Sequence, residues 1–282
     1  MAKSLMIQGT CSNAGKSFVT ASLCRLLSDK GLRVAPFKSQ NMSRNAYKLK
    51  NGDIISSAQA FQCLGARSKP SCNNNPIMLV PNSDVGSRVF VLGKEIGDMN
   101  AKEYFKVKQN FRNDILQAYE ELKSQNDVII IEGAGSPAEI NLLDGDFVNM
   151  GLAEMTDSPV VLVGDIDRGG VFASVYGTIK ILPQCYQDRI RGYIINKFRG
   201  DIDILTPGIE RLSQILETKC LGVLPYIDVV FEEEDSLSKE DSFGLSQTQA
   251  QTESFYNNEL EKGARLLEDN LNMKEIFNII GL

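Results

Sequence analysis

Six short apolar runs punctuate the chain: SLMIQ (4–8), RVAPFK (33–38), DVIIIEG (127–133), PVVLVGD (159–165), RGYIINK (191–197) and CLGVLPY (220–226). Their hydrophobicity is continuous rather than alternating, which predicts strands buried on both faces, and the longer stretches between them carry a helical period. The expected fold is therefore α/β, a mostly parallel sheet with helices on both faces. In such sheets the loops at the carboxyl ends of the strands bind ligands. Here those loops read GTCSNAGKS, KSQNMSRN, EGAGSPAE, GDIDRGG and NKFRGD, concentrating Gly, Asn, Asp, Lys and Arg. Beyond Tyr226 the pattern lapses into an acidic and then polar stretch. It resumes with Leu260, Ala264, Leu267 and Leu271 at helical spacing and with MKEIFNII before Gly281.

The first loop follows a strand and opens a helix, the setting in which backbone N–H groups wrap phosphates. Gly9, Thr10, Ser12, Asn13, Ala14 and Gly15 are the expected cradle, Lys16 the charge that reaches the outer phosphates of ATP, and Ser17 a ligand for Mg2+. The spacing from Gly9 to Gly15 leaves five intervening residues, one more than the strict motif. Glu132, at the end of a very apolar strand, is the expected second metal ligand. Asp165 and Asp167 suit either a metal-bridging or substrate-orienting loop or a charged turn with a local ion pair. Asn196 offers a purine edge both a donor and an acceptor, with Lys197 beside it. Lys38, at the end of the second strand, either neutralises a reacting carboxylate or snorkels to solvent.

Composition narrows the chemistry. Among 282 residues there is no histidine, which removes Ser-His and Cys-His pairs, a histidine general base and histidine-ligated metals. The net charge of −6 lies within residues 232–254, where seven acids face one lysine, so the remainder is neutral and offers no broad basic face to nucleic acid or membrane. Six cysteines without a CxxC pair read as reduced thiols. No apolar run approaches the ~18 residues of a membrane span, and the expected location is cytoplasmic.

The strings GTCSNAGKS, APFKSQNMS, NPIMLVPNSDVGS, EGAGSPAEINL, NMGLAE, VGDIDRGGVFAS, INKFRGD and GVLPY together resemble cobyric acid synthase, the ATP-dependent amidotransferase family of cobalamin biosynthesis. The similarity lies in its synthetase domain, a P-loop NTPase fold of the dethiobiotin synthetase type, and covers nearly all of residues 4–226. That family's loop has the same longer glycine spacing. The resemblance implies amidation of corrin side-chain carboxylates, from adenosylcobyrinic acid a,c-diamide to adenosylcobyric acid. ATP phosphorylates a carboxylate, ammonia attacks the acyl phosphate, and phosphate leaves. It further implies Lys16, Lys38 and Asp167 as catalytic residues and Gln40, Asn41, Ser136, Asn141 and Arg168 as contacts to the corrinoid.

Full-length members carry a glutaminase domain with a Cys nucleophile and a His base. No cysteine follows Cys220 here and there is no histidine, so ammonia is expected from outside this chain, free or from a separate glutaminase. The organisation implied is a synthetase domain over 1–230, an acidic and polar linker over 231–254, and a helical remnant of the glutaminase domain over 255–282. That remnant must repack on the synthetase body, pair with a second copy in a homodimer, or remain mobile, and mobility or loose docking is the expectation. The competing reading is a catalytically idle nucleotide- and corrinoid-binding remnant of the family.

Overall fold

In a computed structural model, residues 2–82, 86–227 and 249–282 are described. The six apolar runs form six parallel strands in one sheet: β1 (Lys3–Gly9), β2 (Val34–Phe37), β9 (Val128–Glu132), β10 (Val160–Asp165), β11 (Ile190–Phe198) and β12 (Cys220–Pro225). Their spatial order is β12-β11-β10-β1-β9-β2. Alternate residues serve two cores. Met6, Ile129, Ile131 and Leu162 face one side, and Leu5, Ile7, Ile130 and Val163 the other, which is why the strands carry no polar alternation. From β1 the chain goes first to the edge strand β2, returns to lay β9 between the two, and then crosses to the other side of β1 for β10, β11 and β12. The order thus reverses at β1, and the crevice at its carboxyl end is where ligands bind in open α/β sheets.

Helix α1 (Lys16–Asp29) covers one face, while α4 (Arg112–Gln125), α5 (Met150–Met155), α6 (Val171–Lys180) and α8 (Ile202–Leu216) cover the other, with α7 (Gln184–Gln187) before β11. Between β2 and α4 lies a region the apolar runs did not announce. A smaller four-stranded sheet joins β3 (Gln40–Met42) in parallel to β6 (Ile77–Pro81), and β7 (Gly86–Val91) and β8 (Lys94–Asn100) continue it antiparallel. Strands β4 (Ala46–Lys48) and β5 (Ile54–Ser56) pair beside it, followed by α2 (Ser57–Gly65), and α3 (Ala101–Val107) leads into α4.

The C-terminal segment departs from expectation. Helix α9 (Gln249–Asn270) begins within the stretch read as linker, whose residues 231–248 lie outside the described residues, and α10 (Met273–Ile280) follows, stopped by Gly281 at φ 87°. These helices are neither mobile nor loosely docked. Leu260 and Leu267 are fully buried, and Ala264, Leu271, Ile276 and Ile280 are also buried, most of them in the core beneath α1. Leu271 bridges Gly222 on β12, the Asn272 N–H donates to the Leu221 carbonyl at 2.7 Å, and a Cβ on Gly222 would meet the Asn270 carbonyl oxygen at 2.2 Å. The physical reason is α1, whose residues from Phe18 to Leu27 are buried on every side and which therefore has a cover on its outer side as well as the sheet beneath it.

Candidate active site

The loop from Gly9 to Gly15 wraps the end of β1 and delivers Lys16 to the first turn of α1. Gly15 caps that helix in a left-handed conformation, φ 98°, and a Cβ there would lie 2.0 Å from the Asn196 amide nitrogen, so both conformation and space demand glycine. Asn13 is also left-handed. The Lys16 amine donates to the carbonyls of Cys11 (3.3 Å) and Gly135 (3.1 Å), bridging the loops after β1 and β9.

Glu132 is the centre of the arrangement. It is fully buried at the end of β9, and Oε1 accepts from the Ser17 hydroxyl at 2.8 Å and the Lys38 amine at 3.1 Å, while Oε2 accepts from the Gln62 amide. Burial pushes its carboxyl pKa up, but Lys38, Lys16 and the two hydrogen bonds outweigh that and leave it below the ordinary glutamate value. Lys38 is buried against this carboxylate, so of its two readings the snorkelling one is excluded.

On the other flank, Lys197, left-handed at the end of β11, donates to the Asn13 carbonyl (2.6 Å) and pairs with Asp165 (3.1 Å). The second oxygen of Asp165 accepts from the Asp167 backbone, and Arg168 approaches Asp165 at 3.9 Å. Asp167 pairs with Arg199 at 3.3 Å on the rim. Each aspartate is thus ion-paired at this rim, Asp165 with Lys197 and Asp167 with Arg199. Asn196 is buried and spends its amide N–H on the Ala14 carbonyl at 2.9 Å, bracing the phosphate loop.

A cleft of about 420 Å³ joins these groups, lined among others by Asn13, Gly15, Lys16, Ser17, Lys38 and Glu132, with Asp165, Asp167, Arg168, Asn196 and Lys197 across it. Gln40 and Asn41 line it too, and Asn41 is almost fully buried with an oxygen that has no partner among the described residues. Gly9, Thr10, Ser12 and Ala14 lie outside this lining. Ser136 and Asn141 are also not brought to it. Ser136 turns its hydroxyl to the Ala138 N–H, and Asn141 is exposed on the short 3-10 turn Ile140–Leu142.

Sequence reading missed Gln62. It reaches Glu132 from α2 across 70 residues and is held in turn by Gln59 at 2.7 Å, whose backbone is capped by Ser56. Asn149 was missed as well. Its side chain makes two hydrogen bonds with the backbone of Ala134, fixing the loop after Glu132. Neither carries a sequence signal, since both act through partners distant in the chain.

Residues 5–238 match the family described as "CobQ/CobB/MinD/ParA nucleotide binding domain". The cobyric acid synthase of Ruminiclostridium cellulolyticum is 52% identical over 85% of this chain and 46% of its own length, and that of Streptococcus sanguinis is 50% identical over 84% of this chain and 48% of its own. The chain thus spans about half the length of these curated relatives, and the resemblance read from its motifs holds. Among solved structures, the septum site-determining protein MinD of Pyrococcus horikoshii, complexed with Mg-ADP, is 14% identical with a TM-score of 0.46, covering 99% of this chain and 95% of that one. With its phosphate loop at the strand-order reversal and its sequence matched over residues 5–238, the chain belongs to the CobQ/CobB/MinD/ParA nucleotide-binding domain family.

Proposed function

We propose that the chain is the ATP-dependent synthetase part of a cobyric acid synthase, amidating corrin side-chain carboxylates through acyl phosphates in cobalamin biosynthesis. The observation that carries this reading is the convergence of Ser17 and Lys38 on buried Glu132 in one cleft that Lys16 also lines, within a chain half identical to cobyric acid synthases.

The loop N–H groups and Lys16 take the outer phosphates of ATP, and the Asn196 oxygen is the atom left to a purine. Ser17 and Glu132 place two oxygens 2.8 Å apart beside the loop, a donor set that fits Mg2+, a hard cation that keeps water and phosphate as its other ligands. Bound there, Mg2+ supplies neutralisation of phosphate charge. Lys38 holds its ammonium at the cleft, where it draws in the carboxylate to be activated, and Gln40, Asn41 and Arg168, which line the same cleft, offer it further polar contacts. A carboxylate oxygen attacks the γ-phosphorus and ADP leaves. Ammonia then attacks the acyl carbon, phosphate departs, and the amide nitrogen loses its proton to solvent. Positioning and charge stabilisation suffice for both displacements, so histidine is dispensable.

Incubation of the chain with Mg-ATP and cobyrinic acid a,c-diamide tests the reading. Sustained ADP release, beyond a first acyl phosphate, is expected to require the corrinoid and ammonium, and glutamine is expected to support none of that turnover and release no glutamate, because no imidazole is present to activate a thiol. Nucleotide and corrinoid binding without ADP release would favour the idle reading instead, and steady glutamate production would overturn the assignment of the nitrogen source.

Gln62 gives a second test. Gln62→Leu removes the donor to Glu132 Oε2 without touching the cleft lining, and the loss of an outer partner to a metal ligand costs about 10–100-fold in metal affinity or activity. The expected result is a raised Mg2+ requirement with ATP still bound. An unchanged Mg2+ titration would show that Glu132 is held without it.

A further inference from the structure

Beside the phosphate cleft lies a second cavity of about 580 Å³, too large for a packing defect and within the range of ligand sites. One wall is the small sheet, with Leu79, Val89 and Met99; the other is α3 with Tyr104 and Phe105, closed by Phe147. Three of the protein's exposed large hydrophobic side chains, Met42, Phe105 and Leu142, border it. Apolar surface gathered at a concavity marks a binding site rather than the scatter of an ordinary exterior. The two cavities adjoin, since Gln40 and Met42 line both, and the Tyr104 hydroxyl donates to Gln40 between them.

The charge in the second cavity is cationic. Lys108 stands 4.4 Å from the Phe105 ring centre and 5.7 Å from that of Phe147, and Arg44 lies on the opposite rim. Among the described residues the one acid in the lining, Asp146, directs its carboxylate to the backbone N–H groups of Val148, Asn149 and Gly151, capping the start of α5. The cavity thus presents an apolar floor with two outlying cations, next to the cleft that Lys38 lines.

We propose that this cavity seats the body of the acceptor, an apolar ring system fringed with anionic arms, with Phe105 beneath the ring and Lys108 and Arg44 on the arms that do not react. One arm passes Gln40 and Met42 to reach the cleft. The assignment rests on the function proposed above and adds residues remote from the phosphate loop to its specificity.

The test is equilibrium binding of cobyrinic acid a,c-diamide, followed by its own visible absorbance after ultrafiltration with the full chain and Mg-ATP. Phe105→Ala and Lys108→Ala alter side chains at the cavity that no core strand depends on, and thermal melting verifies that each folds. Each is expected to weaken corrinoid binding about tenfold or more, the equivalent of one charge-assisted or aromatic contact, with ATP affinity unchanged. Corrinoid affinity unchanged in both variants overturns the placement while leaving the function standing. A wild-type chain that binds ATP and no corrinoid overturns both.

Discussion

Lys16→Ala is expected to reduce ATP turnover by about 100–1,000-fold or more, the scale of removing one preorganised charge from a transferring phosphoryl group. Among the described residues its amine donates to two backbone carbonyls, those of Cys11 and Gly135, and no strand or helix is held by those bonds, so the loss is expected to fall on catalysis. Glu132→Gln contrasts with it. There the buried carboxylate that pairs with buried Lys38 loses its charge, which strands the ammonium in the interior and is expected to cost about 3–5 kcal/mol of stability besides activity. Because the Glu132 carboxyl is held below its ordinary value, its contribution is present above the unfolded pKa and is lost as pH falls through the folded one. Thermal melts and ATP-binding isotherms of the two variants separate the effects. Unchanged ATP binding and turnover in both would remove the nucleotide site from this cleft.

What could be read without coordinates follows from where each signal is stored. The six parallel strands are legible because burial on both faces makes VIIIE and VVLVGD apolar without interruption, and the loops behind them announce themselves by glycine and charge. The small sheet is not, since its strands are short, one-sided or mostly exposed: KEIGDMN in β8 buries no residue fully, and no periodicity separates it from loop. At the site, local motif and long-range pairing divide the same way. Ser17 and Lys16 are positioned by the loop that contains them, whereas the role of Lys38 was undecided until Glu132, 94 residues away, supplied its partner. The ion-paired state of Asp165 and Asp167 likewise depends on Lys197 and Arg199 from another strand end. One available signal was passed over. The sequence KSFVTASLCRLLSD is apolar or small around most of its circumference, and a helix of that kind needs cover on two sides.

That cover makes the C-terminal helices part of the core, and deletion of residues 228–282 is expected to leave an unfolded or insoluble chain rather than an intact nucleotide-binding domain. Leu260, Leu267, Leu271, Ile276 and Ile280 are all buried, and burying one such side chain is worth about 1.5–3 kcal/mol, so the group matches a large share of the ~5–15 kcal/mol by which domains are stable. The deletion also strips a buried cation. Arg25, 1% exposed on α1, donates to Asp29, Asn257 and Glu261, and two of those three partners belong to α9. Gly263 is a further mark of the fit, because a Cβ there would meet the Ser22 hydroxyl at 2.3 Å. A point variant isolates packing from truncation: Leu267→Ala, in the full chain, is expected to cost about 2–5 kcal/mol in urea denaturation while ATP affinity in the folded protein stays the same, since Leu267 is no part of the cleft lining. A truncated chain that remains soluble, melts at the wild-type temperature and binds ATP normally would show that α9 and α10 rest on α1 without supporting it.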